Sequence, residues 1–76
     1  MNIDELYQYQ DEISVKGDLA RELCGLINDY NAGAITAEEK VTFINEIISS
    51  YQANNLASEE VVARWIVSAA NLAASV

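Results

Sequence analysis

The chain has 76 residues, with 12 Asp and Glu against four Lys and Arg, so its formal net charge at pH 7 is −8. That charge argues against direct binding to nucleic acid or to anionic lipid surfaces, because both need a basic patch on the protein. The chain has no His and a single Cys, Cys24. The usual nucleophilic and metal-binding combinations are therefore missing, and we expect no enzyme, no cofactor and no metal site. The length allows one domain, over residues 1–76.

A long helix over residues 3–31 is the first predicted element. Apolar and aromatic residues recur through it at heptad-like spacing, at Leu6, Tyr9, Ile13, Ala20, Leu23, Ile27 and Tyr30. A seam of this kind favours a continuous helix. Gly17 and Asp18 leave a second possibility, two helices joined near Gly17, because Gly often ends a helix and Asp often begins one.

A helical hairpin is predicted for the rest of the chain. Gly33 is expected to end the first helix in a left-handed conformation, and Thr36 with Glu39 forms a capping box that begins the second. The stripe that this second helix buries contains Val41, Ile44, Ile48 and Tyr51. We expect the helix to stop at Asn54 and Asn55.

The third predicted helix begins at Ser58, the expected N-cap. Its apolar face contains Val62, Trp65, Ile66, Ala69, Leu72, Ala73 and Val76. Trp65 is expected to anchor the core. The predicted fold class is therefore all-α: a long N-terminal helix packed with a C-terminal helical hairpin, with three helices, or four if the chain breaks near Gly17.

The location of the protein is predicted from its most apolar segment and its cysteine content. The sixteen residues from Val61 to Val76 are too few to cross a membrane as a helix. A single cysteine and an acidic N-terminus are not typical of secreted chains. We therefore expect a cytoplasmic protein that does not associate with membranes.

The segment NDYNAGAITAEEK, residues 28–40, has the glycine, isoleucine and glutamate spacing of an EF-hand calcium loop. When Gly33 takes the sixth loop position, however, the first, third and fifth positions lack the carboxylates or other oxygen ligands that calcium needs. Those positions hold Asn28, Tyr30 and Ala32. The same G-x-I-T-x-E-E turn resembles the short bacterial SHOCT-type helical hairpin, and that resemblance implies an oligomerising or protein-docking role. In size and composition the chain is also similar to small phage-encoded accessory proteins.

These features predict that the chain functions through non-catalytic protein–protein interaction. It would be an accessory or assembly factor that self-associates, most simply as a dimer. A continuous first helix would extend beyond the hairpin and leave an apolar stripe uncovered at its N-terminal end. An exposed tyrosine in this acidic segment is a suitable anchor for a partner protein. The candidate interface residues are Asp4, Leu6, Tyr7, Tyr9, Asp11 and Ile13.

The alternative function is that of an acidic inhibitor, or nucleic-acid mimic, that occupies a basic surface of another protein. It requires carboxylates at phosphate-like spacing along one edge. Asp4, Asp11 and Asp18 recur at seven-residue intervals, which would place them about 10.5 Å apart on one continuous helix.

Overall fold

A computed structural model describes residues 1–54 and 59–76. The helices in those ranges are α1 (Ile3–Tyr9), α2 (Val15–Asn31), α3 (Ala37–Ala53) and α4 (Glu60–Ser75). The described residues contain no strand, so the all-α prediction is confirmed. The predicted cap at Ser58 and the second residue of the predicted stop, Asn55, lie outside the described residues.

The prediction of one long N-terminal helix over residues 3–31 is wrong. The chain leaves the helical conformation after Tyr9 and enters α2 at Val15, where the Ser14 hydroxyl accepts a hydrogen bond from the Gly17 N–H at 3.2 Å. The physical reason is burial: α1 packs against both α2 and α4, which encloses Leu6 completely. A continuous helix would have left that side chain beyond the hairpin.

The alternative of a break near Gly17 gives the right number of helices but the wrong position. The break falls at residues 10–14, and Gly17 is part of α2. A Cβ atom at this position would lie 1.8 Å from the main-chain oxygen of Glu12. Glycine is therefore needed here because the turn between α1 and α2 passes directly against the first turn of α2.

The connection between α2 and α3 forms as the sequence predicts. Gly33 has a φ of 78°, which is the left-handed conformation that glycine adopts without strain. The capping box is present in both directions. The Glu39 N–H donates to the Thr36 hydroxyl at 3.1 Å, and the Thr36 N–H donates to a Glu39 carboxylate oxygen at 2.9 Å.

The core lies where α2, α3 and α4 meet, with α1 covering one side. Its fully or almost fully buried apolar residues are Leu6, Leu19, Ala20, Leu23, Cys24, Ile27, Ile44, Tyr51, Ile66, Ala69 and Ala73. Within residues 1–54 and 59–76, no helix is both long enough and apolar enough to cross a membrane.

Lys40 is an unusual member of this interior, because only 2% of its surface is exposed. Its ammonium group donates a hydrogen bond to the main-chain oxygen of Val76. The same group lies 4.4 Å from the centre of the Tyr30 ring, a cation–π contact. Lys40, on α3, thereby joins the end of α2 to the end of α4.

Tyr51 makes the stability of the fold sensitive to alkaline pH. Burial, followed by the negative charges of Glu22 and Asp18, raises the pKa of Tyr51 from 10.0 to about 12. The unfolded chain therefore ionises at lower pH than the folded chain. The contribution of the protonated Tyr51 hydroxyl to the free energy of unfolding is complete below pH 10 and is lost as the pH rises through about 12. The total loss is about 1.4 kcal/mol for each unit by which the folded and unfolded pKa values differ.

We therefore expect the free energy of unfolding to fall more steeply above pH 10 in the natural chain than in Tyr51→Phe. Urea unfolding at pH 9 and at pH 11.5, followed by circular dichroism, measures this difference. The other tyrosines are present in both chains, so they cancel in the comparison. Equal losses in the two chains would contradict the assignment of the effect to Tyr51.

Candidate protein-interaction surfaces

The predicted interface residues on α1 do not form one exposed stripe. Leu6 is completely buried in the core of its own chain, so its side chain is not accessible to a partner. Tyr7 is half-buried, and its hydroxyl donates to the side-chain oxygen of Asn28 at 2.8 Å. Burial, with a smaller effect of Cys24, raises the pKa of Tyr7.

Tyr9 holds the end of α1 against α4. Its ring meets the ring of Trp65 edge to face, with centroids 4.9 Å apart and planes at 67°, a favourable aromatic geometry. The Lys16 ammonium lies 5.7 Å from the Tyr9 centroid and 5.8 Å from the Trp65 centroid. Trp65 is half-buried and packs against the core, which agrees with its expected role as an anchor.

The turn between α1 and α2 is held in place by several hydrogen bonds. Arg21 donates to the main-chain oxygens of Gln10 at 2.6 Å and Glu12 at 3.3 Å, and it also pairs with Asp18. The Glu12 N–H donates to the oxygen of Tyr9 at 3.0 Å. Together with the close approach to Gly17, these contacts fix the path of the main chain.

Ile13 lies in this fixed turn and is 100% exposed. The residues before it, Asp11 and Glu12, are exposed as well, as is Asp4 on α1. Glu12 also lines an open depression of about 290 Å³ on the outer side of α1. We refer to this region as the turn surface, and its residues are Glu5, Gln8, Tyr9, Asp11, Glu12 and Ile13.

The three aspartates that suggested nucleic-acid mimicry are not equally spaced along one helix. Asp4 is on α1, Asp11 is in the turn, and Asp18 is on α2. Asp18 is also paired with Arg21. The spacing calculated for a continuous helix therefore does not apply, although the carboxylates remain on the surface.

All four basic side chains are engaged within the chain. Lys16 lies over two rings, Arg21 and Arg64 are in ion pairs, and Lys40 is buried. The structure describes every charged residue, and of the 12 carboxylates two, those of Asp18 and Glu60, are in ion pairs while the other ten are not. The surface is thus strongly acidic and carries little accessible positive charge.

The solvent-facing side of α4 is an exception to this acidity. Its exposed residues recur three or four positions apart, at Val61, Arg64, Val67, Ser68 and Asn71; we call this set the α4 outer face. Val61 is 70% exposed and Val67 is 51% exposed. The α4 segment contains no carboxylate after Glu60, which pairs with Arg64. A shallow depression of about 490 Å³ lies along this face, lined by Glu60, Ala63, Arg64, Val67 and Ser68.

Cys24 does not have the environment of a reactive thiol. It is completely buried, and burial raises its pKa, so the nucleophilic thiolate is disfavoured at neutral pH. Across residues 1–54 and 59–76, no three His, Cys, Asp or Glu side chains are grouped so that they could hold a metal ion.

Comparisons with protein-family models, with curated proteins and with solved structures find no match to this chain. Function is therefore inferred from the turn surface and the α4 outer face. The sequence-based candidates include Tyr9, Asp11 and Ile13 of the turn surface but not Glu5, Gln8 or Glu12, and none of the α4 outer face. The usable signal for that face was the absence of acidic residues after Glu60.

Proposed function

We propose that this chain is a non-catalytic protein-interaction domain whose copies associate through the α4 outer face. The observation that carries the proposal is the contrast between that face and the rest of the molecule. Val61 and Val67 are exposed on it, while most of the chain's carboxylates lie elsewhere without a cation partner. Burial of these valines against a partner is favourable, at about 25 cal/mol per Å² of apolar surface.

A second copy is the partner that this charge distribution favours at α4. Two chains that each carry a charge of −8 repel one another, and the repulsion is greatest where unpaired carboxylates meet. On the α4 outer face the charges of Glu60 and Arg64 offset each other. Two copies can therefore meet there without opposing unpaired carboxylates, and small residues such as Ser68 allow the helices to approach closely.

The proposed dimer is weak. A helix of 16 residues is about 24 Å long, and one face of it supplies less than the roughly 800 Å² per partner that a standard interface buries. We expect a dissociation constant in the micromolar range or weaker. Raised salt should strengthen the dimer, because it screens the repulsion between the acidic surfaces outside the contact.

The proposed role is that of a cytoplasmic protein. The single cysteine, Cys24, supports this location, because small secreted domains are usually rich in disulfides. Lack of catalysis is supported by the burial of that thiol and by the absence of histidine from the sequence.

Sedimentation equilibrium of the natural chain, Val67→Glu and Val41→Glu tests the proposal. Both substitutions place a carboxylate at an exposed helical valine, but Val41 is on α3 and is 40% exposed. Glutamate favours helix more than valine does, so both variants should fold. We expect the natural chain and Val41→Glu to show a mass that rises with concentration, more so at high salt, and Val67→Glu to remain monomeric.

Two results would refute the proposed self-association. The first is a monomeric natural chain at high micromolar concentration in both low and high salt. The second is a dimer that Val67→Glu and Val41→Glu weaken equally, because the contact would then not depend on the α4 outer face.

A further inference from the structure

We infer that the turn surface is a second interaction site, which docks on a basic surface of another protein by inserting Ile13 into an apolar pocket rimmed by Lys or Arg. This inference goes beyond the proposed self-association and does not depend on it. The turn surface lies on α1 and the turn that follows it, whereas the α4 outer face lies on α4. The expected partners of the two sites also differ in charge.

The exposure of Ile13 is the first argument. Its side chain is 100% exposed, although α1 and α2 on either side of it contribute several residues to the core. The exposure is not due to a loosely held segment, because Arg21 bonds to the main chain on both sides of Asp11. An apolar side chain that projects from a fixed main chain is the kind of group that fills a pocket at the centre of an interface.

Charge complementarity identifies the partner. Glu5 and Glu12 line the depression on this surface, and Asp11 lies in the same turn as Ile13. None of the three is in an ion pair. The nearest basic side chains in sequence, Lys16 and Arg21, are held by aromatic rings and by main-chain oxygens and Asp18. A second copy would oppose these carboxylates with its own, and nucleic acid would oppose them with phosphates. A basic protein surface is the partner that gains from them.

The fixed turn also reduces the entropy lost on binding. The main chain from Tyr9 to Ser14 is already ordered by Arg21, by the Ser14 cap and by contact with Gly17. Binding therefore does not have to order a flexible loop, which preserves more of the contact energy as affinity.

The test uses the full chain, immobilised, in the natural form and as four variants. Ile13→Asp and Glu12→Lys change the turn surface. Val41→Asp and Glu46→Lys make the same kinds of change at exposed positions on α3, outside both proposed surfaces. A lysate of the cells in which the protein naturally occurs is passed over the immobilised natural chain, and the proteins that it retains are identified by mass spectrometry. Each retained protein is then purified and titrated against all five chains.

We expect a purified basic protein to bind the natural chain and both control variants equally. Ile13→Asp and Glu12→Lys should each weaken binding by tenfold or more, and raised salt should weaken it further. Thermal melting of Ile13→Asp should match that of the natural chain, because the side chain makes no internal contact that could be lost.

The inference is overturned if every retained protein binds Ile13→Asp as tightly as the natural chain. It is also overturned if only further copies of the chain, only nucleic acid or no protein at all is retained. Sedimentation of Ile13→Asp separates the two proposals, because this variant should dimerise as the natural chain does, whereas Val67→Glu should lose the dimer and keep the basic partner.

Discussion

Gly17→Ala is expected to destabilise the chain by about 3 kcal/mol or more. The added methyl group would lie 1.8 Å from the main-chain oxygen of Glu12 and 3.2 Å from that of Tyr9. Neither is the flexible end of a side chain, so the turn itself must move. Displacement of the turn would pull α1 away from α2 and expose Leu6, which the folded chain buries completely.

Gly25→Ala provides a matched control in the same helix. A Cβ at Gly25 would meet no atom within 4 Å, and the position is inside α2. We expect this change to stabilise the chain by about 0.5–1 kcal/mol, because alanine loses less backbone entropy in a helix than glycine does. Urea unfolding of both variants measures the two effects. If both variants shift stability in the same direction, the close approach at Gly17 is not what constrains that position.

Lys40→Glu is expected to cost about 3–5 kcal/mol, the range typical of an uncompensated buried charge. The natural ammonium group meets the face of the Tyr30 ring and the main-chain oxygen of Val76. Both carry partial negative charge, so they attract a cation and repel a carboxylate. The end of α4 should detach first, and thermal melting combined with amide exchange near Val76 would show this.

Lys40→Met separates the role of the charge from that of packing. Methionine is unbranched and apolar, and it fills much of the space that the lysine stem occupies. We expect a cost below about 1.5 kcal/mol, because replacement of a buried charge by an apolar group of similar volume is well tolerated. A Lys40→Glu variant as stable as Lys40→Met would mean that the side chain reaches solvent instead of the interior.

The parts of the fold that could be predicted from sequence are those set by neighbouring residues. Thr36 and Glu39 cap each other across three positions, and Gly33 adopts the left-handed conformation that ends a helix. The break between α1 and α2 could not be predicted in this way. Leu6 and Ile13 have the same place in the heptad pattern, yet the first is buried and the second is fully exposed, because α1 folds back onto distant parts of the chain.

The candidate sites were predictable to a similar extent. Helical spacing correctly indicated that Ile66 and Ala73 face the core. It wrongly placed Val41 in the buried stripe of α3, where this side chain is 40% exposed. The α4 outer face is the side of α4 that its packing against α1, α2 and α3 leaves uncovered, and helical spacing alone does not specify that packing. The heptad pattern predicts Ile13 as part of a continuous seam, but this residue is exposed for a different reason, which is its position in a fixed turn.

The contact between Tyr9 and Trp65 gives the chain an internal optical probe. Trp65 is the only tryptophan, and its indole nitrogen is buried, with no hydrogen-bond partner among the described residues. Tyr9 lines the turn surface and also touches this indole. Emission from the indole therefore reports whether the short α1 helix is in place, independently of the helical signal that α2, α3 and α4 dominate. The same emission would detect the binding of a partner at the outer side of α1 without any added label.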